Sequence, residues 1–550
     1  MKKNRGLFVP PRHRLLKAIS ATVAVIASGP LLAADESPFK VDGYLKQELS
    51  FNAKNREDTP DYNDRGKLSM VRTTLRVNTE WDINDQFVLV GKFRAAKEVS
   101  TGFLRHLQNY QDPAAGKTGA NAYKGDGKIM DLYDDAQVRE LYADIKVNDR
   151  LKFRFGKQQV VWGETDFFVA NDLVTGYDFT WRNFLEPSGE EVRKGNIMLK
   201  ANLDVPELKG GIEAFIRPGW DRKQDIGTEL DIYGGRWAGQ SNAATDFRMF
   251  DNYNYRYHGG DIRKPTGGAR WSGMLGDISY SVSAMRTFYN SPIMNSAQFP
   301  HNGDPTKGCK MPAFGPSPAG CFGEVVYPKV NIFGLTANGY SDMADAVFST
   351  EIAYIKDAPF NFIAPAGQNS LATLFVAPGF DGYKKKNVIA TMFRMDKNIA
   401  FTKELLGTEK PMFFSIQLFD KWIQNFKSSD NLLFAVGYGG LMKEHNTLLT
   451  TIWDLSYMNG RVHPQLVLGG DLTNGGGFAV PSVTFELMKD LRLKVEYDYF
   501  WDSGYRKHSI DGGGGMLNVN TGALRRPDTT TIFGTLHNQD QLYMSLTYQF

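Results

Sequence analysis

Period-two alternation of apolar and polar side chains, in segments of about ten residues and repeated along the whole chain, limits this sequence to very few folds. In Leu491–Tyr499, Leu491, Leu493, Val495, Tyr497 and Tyr499 share one face, and Arg492, Lys494, Glu496 and Asp498 share the other. Just before it, Val483, Phe485 and Leu487 alternate with Thr484 and Glu486, and Met488-Lys489-Asp490 supplies a tight turn. Pairing Leu487 with Leu491 sets Glu486 opposite Arg492 and Thr484 opposite Lys494, and opposite charges across a strand pair are mildly favourable. A second hairpin follows the same rule. Leu141, Ala143, Ile145 and Val147 alternate with Glu140, Tyr142, Asp144 and Lys146; after Asn148-Asp149-Arg150, Leu151, Phe153 and Phe155 alternate with Lys152 and Arg154. Pairing Val147 with Leu151 puts Asp144 opposite Arg154 and Glu140 opposite Gln158. It also puts Lys146 opposite Lys152, which is unfavourable unless water or a counterion screens it. Beyond Gly156 strict alternation turns Lys157 toward the apolar side, and a bulge or the end of the membrane zone relieves that.

One such strand fits a soluble two-layer sheet; a chain filled with them needs a larger explanation. Further candidates are 39–52, 66–82, 86–98, 193–204, 209–218, 267–275, 279–289, 328–339, 345–356, 385–396, 411–422, 431–441, 446–457, 462–471 and 540–550. With the four above they number 19. Single-chain bacterial barrels have even strand numbers, so about 16 to 18 are expected, with 423–477 as the region of error. Short links such as Asn84-Asp85, Asn148-Asp149 and Gly276-Asp277 alternate with long segments at 99–133, 164–192, 219–266, 290–327, 357–384 and 502–539. Barrels place short turns on the periplasmic side and long loops outside. Leu542, Met544, Leu546, Tyr548 and Phe550 alternate up to a terminal aromatic. This is similar to outer-membrane barrels, whose assembly machinery recognises a last strand ending in Phe, so Tyr548 and Phe550 are read as the assembly signal. The fold class expected is therefore all-β, a transmembrane antiparallel barrel. Closure removes strand edges that lipid does not tolerate.

Composition agrees. The chain is 42% hydrophobic, yet its mature part has no uninterrupted apolar run that could form a spanning helix. Aromatics at 13% and 55 Gly suit interfacial girdles, turns and bends. Lys2, Lys3, Arg5, Arg12, Arg14 and Lys17 precede a small and apolar run at 18–33, so 1–34 reads as a signal peptide and 35–550 as one barrel domain. A single anchoring helix is the alternative, but the run is short for it. Six basic residues and no acidic ones leave with the signal, so a net charge of +3 becomes −3, which removes any global case for nucleic-acid binding. Cys309 and Cys321 lie close together in a Gly- and Pro-rich stretch and read as one disulfide clipping a loop; a metal site is the alternative, without nearby His support.

At Arg139-Glu-Leu-Tyr-Ala143 and Gly156-Lys-Gln-Gln-Val-Val-Trp-Gly-Glu164 the chain resembles a family of outer-membrane barrels catalogued as a domain of unknown function, number thirteen-oh-two. The likeness runs over most of the mature chain, and Arg217-Pro218-Gly219-Trp220 is similar too. General porins share a looser Gly-x-Gln pattern. The resemblance implies a Gram-negative outer-membrane location among lipid and lipopolysaccharide. It also implies a periplasmic companion protein, an inner-membrane efflux-type transporter and handling of hydrophobic compounds such as sterols or hydrocarbons. It transfers no functional residues.

Passage of small molecules is thus the first expectation. A non-conducting anchor whose loops bind a partner is the second, and an outer-membrane hydrolase the third. Glu140, Asp144, Arg154, Gln158, Glu486, Arg492 and Lys494 are the candidate lumen-lining residues, setting selectivity by charge. Trp162, Glu164 and Asp166 are candidates for the channel mouth; the alternative is a solvated strand end with an interfacial Trp. Phe360, Phe362, Leu374, Phe375 and Phe380 make the 357–384 loop unusually apolar, either as a hydrophobic entry site or as packing between loops. The mature chain's seven His are scattered, and no short motif of a hydrolase or metallopeptidase contains them, so neither enzyme chemistry, a cofactor nor a metal is expected. The lumen faces read as polar, which favours water-soluble solutes and pulls against the family's hydrophobic compounds.

Overall fold

The computed structural model describes residues 37–56, 63–109, 111–112, 117–118, 129–165, 168, 170–186, 188–230, 235–237, 261–295, 324–370, 373–374, 379, 381–435, 440–502 and 531–550. Eighteen strands form one sheet. In chain order they are β1 (Phe39–Asn52), β2 (Leu68–Asn84), β3 (Phe87–Glu98), β4 (Asp135–Lys146), β5 (Leu151–Gln158), β6 (Asn196–Val205), β7 (Gly210–Arg217), β8 (Thr266–Leu275) and β9 (Ile278–Phe288). They continue as β10 (Lys329–Ser341), β11 (Ala346–Asn361), β12 (Tyr383–Ile399), β13 (Met412–Ile423), β14 (His445–Asp454), β15 (Val462–Asp471), β16 (Gly477–Met488), β17 (Leu491–Trp501) and β18 (Gln541–Gln549). Each pairs antiparallel with its neighbours in sequence, and β1 pairs with β18, closing the sheet into a barrel. Among the described residues no helix is long and apolar enough to cross a membrane; the strands cross.

Eighteen is the upper end of the expected count, and the surplus lies in the suspected region. Candidate 431–441 is not a wall strand: Leu433–Ala435 pairs with Gly440–Leu441 as a small hairpin in the β13–β14 loop. Most of the predicted cross-strand pairs form. Asp144 stands opposite Arg154 and Lys146 opposite Lys152. Glu486 stands opposite Arg492 and Thr484 opposite Lys494, with one extra residue accommodated at Leu487 so that Met488, not Leu487, meets Leu491. Lys157 pairs with Leu141 and so stays on the outer face without a bulge; it reaches Asp225 at 3.2 Å, a counter-charge supplied by the β7–β8 loop.

Large apolar side chains face outward, Phe333 at 52% and Leu546 at 40% exposure among them. Such a continuous belt is stable only against lipid. Barrel closure depends on a close approach at Gly43. Its N–H donates to the Phe550 carbonyl at 3.0 Å, and the Phe550 N–H returns the bond at 3.1 Å. A Cβ on Gly43 would lie 2.1 Å from the Arg76 carbonyl oxygen and 2.9 Å from the Phe550 ring. Gly43→Val therefore forces the seam apart, an overpacking cost of about 1–3 kcal/mol at the step that completes the barrel. We expect it to lower the yield of heat-modifiable protein severalfold, whereas Gly339→Ala, whose nearest neighbour is the Ile278 Cγ1 at 3.3 Å, leaves it unchanged.

Candidate functional site: a plugged lumen with two unlike walls

The β5–β6 connection, in its described residues (159–165, 168, 170–186 and 188–195), does not stay outside the barrel. It starts where β5 ends: the Gln159 N–H donates to the Glu140 carboxylate at 3.1 Å. Trp162 comes next and is 1% exposed, packed with Val160, Met198 and Phe215. Its indole N–H donates to Glu213 on β7, and its ring meets Phe215 edge-on at 5.3 Å. Glu351, an inward residue of β11, then holds the backbone, accepting the N–H groups of Glu164 and, at 2.9 Å, of Asn171. Gly163 lacks room for a side chain here, since a Cβ would sit 2.8 Å from Asp172 and 3.2 Å from Glu351. At its far side the segment sends Arg182 to Glu496 and to Asp498 (3.3 Å) on β17, with the guanidinium 3.7 Å from the Tyr543 ring of β18. It returns through a short turn, Gly189–Val192, that presents two carboxylates to β2 and β3. Arg76 reaches Glu190 at 2.6 Å and Glu191 at 3.2 Å; Lys92 reaches Glu190 at 2.8 Å and Arg94 reaches Glu191 at 3.2 Å. Arg139 of β4 donates to the Glu190 and Glu191 carbonyls at 3.0 and 2.9 Å. One segment thus touches β2–β4, β7, β11 and β17, which makes it a plug spanning the lumen.

Glu190 and Glu191 belong to the plug, not to a strand. Burial works against ionising either. Lys92 and Arg76 outweigh it at Glu190, and Arg94, Arg76 and Arg139 outweigh it at Glu191, so both carboxyls titrate below their ordinary value of 4.5.

The inner wall has two sectors. Inward from β1–β3 come Glu48, Arg72, Arg76, Arg94 and Glu98, all buried. Across the lumen, toward the long-loop end, the inward residues are apolar: Ile332, Ile355, Val388, Met392, Phe419 and Val480. This corrects the expectation of polar lumen faces throughout. β12 is apolar on both sides, with Val388, Ala390 and Met392 buried inside and Phe393 exposed outside. Val160, Trp162, Leu173 and Val174 of the plug join this apolar cluster. Toward the short-turn end the same strands become polar inside, through Glu351, Arg394, Asp396 and Gln417.

The sequence candidates distribute as follows. Asp144 and Arg154 form a two-pronged ion pair at 2.6 and 2.8 Å, with Arg154 stacked 3.9 Å from the Tyr142 ring. Glu140 turns to Lys92, its partner across β3–β4, at 2.9 Å rather than to Gln158, whose amide is fully buried and donates to the Met198 carbonyl at 3.1 Å; the β4–β5 ladder ends at Leu141 and Lys157, one residue short of the expected Glu140–Gln158 pair. Glu486 and Arg492 approach to 3.6 Å near the short-turn end, away from the plug, and Lys494 pairs with Glu496. Trp162, expected at the channel mouth or the lipid interface, is at neither; it lies inside the lumen. Glu164 is exposed, and its carbonyl accepts from Arg394 at 3.2 Å. Phe360, expected in a loop, is the buried penultimate residue of β11, because that strand runs five residues past its expected end. Phe362 packs against the apolar cluster, and Leu374 is half-buried. Asp166, Phe375, Phe380, Cys309, Cys321 and the signal segment lie outside the described residues. The sequence reading missed Arg76, Arg94, Arg139, Glu190, Glu191, Glu213 and Glu351. Alternation in β2 marks Arg72 and Arg76 as inward, but nothing local announces that a loop would meet them. Among the described residues no group of His, Cys, Asp and Glu is arranged to hold a metal ion.

Solved barrels share the overall arrangement. The chain is similar to OccAB3 of Acinetobacter baumannii (9% identity, 93% of this chain and 99% of that one, TM-score 0.44). It is similar to OpdK of Pseudomonas aeruginosa with vanillate (7% identity, 93% and 98%, TM-score 0.41). It is also similar to OmpF of Salmonella typhi in complex with daunomycin (9% identity, 93% and 97%, TM-score 0.37). No curated protein matches the sequence. The sheet closes into a barrel of the outer-membrane type with an outward apolar belt, and a family described as a protein of unknown function (DUF1302) matches residues 14–550, so the chain belongs to that family.

Proposed function

We propose that the protein passes small hydrophobic or amphipathic molecules across the outer membrane, through a lumen that residues 159–195 close at rest. The apolar sector of the inner wall supports this most directly. A lumen serving ions or sugars gains nothing from Val388, Met392 and Phe419 on its inside, since each such side chain left against water forgoes about 1.5–3 kcal/mol of burial. Here the plug covers that sector with its own Val160, Leu173 and Val174, and a hydrophobic cargo offers the wall the same kind of contact when the plug gives way. The charged sector opposite holds the plug by ion pairs that neither donate to nor depend on such a cargo. Toward the short-turn end the polar lining favours release, and a periplasmic companion would take up cargo there.

Vesicles carrying the purified barrel test this by comparing influx of an apolar fluorescent solute with influx of a neutral sugar. Wild type is expected to favour the apolar solute. Val388→Asn with Met392→Gln is expected to cut its influx at least tenfold while the barrel stays heat-modifiable. Equal influx of both solutes, or wall variants that leave apolar influx untouched, would overturn the proposal.

A further inference from the structure

The outer face carries a feature independent of the lumen. At the long-loop end of β8–β12, six cations lie together: Arg263 and Lys264 before β8, Arg286 on β9, Lys329 at the start of β10, Lys356 on β11 and Lys385 on β12. Register fixes their facing. Arg286 stands opposite Asn331, and Asn331 opposite Lys356, so Arg286 and Lys356 share a face and a height, two strands or about 10 Å apart. That face is the outer one, because Arg286 alternates with exposed Val282 and Lys356 with exposed Ile352. Lys385 pairs with Pro359, whose neighbour Phe360 points into the lumen, so it too faces out.

Asp261 is near enough to act on Lys329 but forms no ion pair with any of the six. Among the described residues the side chains of Arg263, Lys264, Arg286, Lys356 and Lys385 have no hydrogen-bond or ion-pair partner, and Lys329 donates only to the Lys264 carbonyl at 3.2 Å. Elsewhere on the same rim, Lys97 is matched by Asp134 and Lys157 by Asp225 at 3.2 Å, and the exposed cations that lack an ion pair among the described residues, such as Lys67 and Lys443, stand singly on their loops. Like charges crowded on neighbouring strands repel, so an arc of this density is costly unless an anionic ligand lies across it. Directly below lies apolar surface, with Phe333, Ile352 and Phe393 exposed.

We propose that this arc binds the phosphate groups of lipopolysaccharide, the glycolipid of the outer leaflet, with its acyl chains lying on the apolar face of β9–β12. The long-loop end sets the arc at outer-leaflet headgroup height, and several spaced cations match a ligand with more than one phosphate better than a single-phosphate phospholipid.

Native mass spectrometry of the purified barrel in detergent provides the test, with lipopolysaccharide, its dephosphorylated form and phosphatidylglycerol as separate probes. Lipopolysaccharide is expected to bind at least tenfold more tightly than either of the others. Arg286→Gln with Lys356→Gln and Lys385→Gln is expected to abolish that preference, and Lys97→Gln to keep it. Equal binding of the dephosphorylated form overturns the proposal without need of any variant. Equal binding of phosphatidylglycerol, or a folded triple variant that retains lipopolysaccharide, overturns it as well.

Discussion

Replacing Glu190 and Glu191 together by Gln is expected to raise the open probability of the barrel in planar bilayers by roughly a hundredfold. The expectation follows from what the two carboxylates leave behind. Among the described residues Arg76 is buried with no other carboxylate in ion-pair range, and the next carboxylate to Arg94 is Asp178 at 4.0 Å. Removing one side of a buried pair costs on the order of 3–5 kcal/mol, because the remaining charge is stranded. Glu190 has a side chain 44% exposed and contributes the smaller share, since water screens it; Glu191 is nearly buried and contributes most. Discounted to about 3 kcal/mol, the change moves the closed-to-open ratio by roughly two decades. Acid should do the same to wild type. Both carboxyls titrate below their ordinary 4.5, so their stabilisation of the closed plug is complete above that value and is lost as pH falls through the depressed values beneath it. Wild-type conductance should therefore show a rise below 4.5, and the double variant should lack that step. A double variant as silent as wild type would mean that these pairs do not hold the plug.

Much of the wall was legible in the sequence because a barrel reads one residue in two against lipid. The Asp144–Arg154 and Glu486–Arg492 pairings follow from that alternation, and a slip of one residue would have put charges into the membrane. Alternation says nothing of what a strand pairs with, which is why Leu433–Ala435, strand-like in pattern, turned out to pair within a loop. The apolar inner sector escaped for a related reason. Where both faces are apolar, as at Val388–Met392, local periodicity weakens and the inward side cannot be recognised as part of a lumen. The plug was invisible because its contacts are distant in sequence: Trp162 meets Glu213 across 51 residues, and Glu164 meets Glu351 across 187. A Trp following a strand looks interfacial until those partners are known.

Glu351→Ala is expected to release the other end of the plug, and Glu351→Gln to do so less. Glu351 is fully buried in the wall and accepts two backbone N–H groups from the incoming segment, those of Glu164 and Asn171. Alanine leaves both donors without a partner, at about 1–3 kcal/mol each; glutamine keeps an acceptor oxygen and loses only the charge-assisted part of the bonds. The Trp162 end should then detach from Glu213 and Phe215, uncovering the apolar wall, so binding of an environment-sensitive hydrophobic dye should rise in the order wild type, Gln, Ala. Joining Glu351→Ala to the Glu190 and Glu191 changes frees the same segment at both ends, and the effects should not add, since a plug already released at one end has less left to lose. The combined variant also separates transport from anchorage. If it binds dye and conducts, the barrel is a gated passage whose resting state is the plug. If it binds dye yet never conducts, the lumen is sealed by something other than residues 159–195, and an anchor displaying its surface loops becomes the better account.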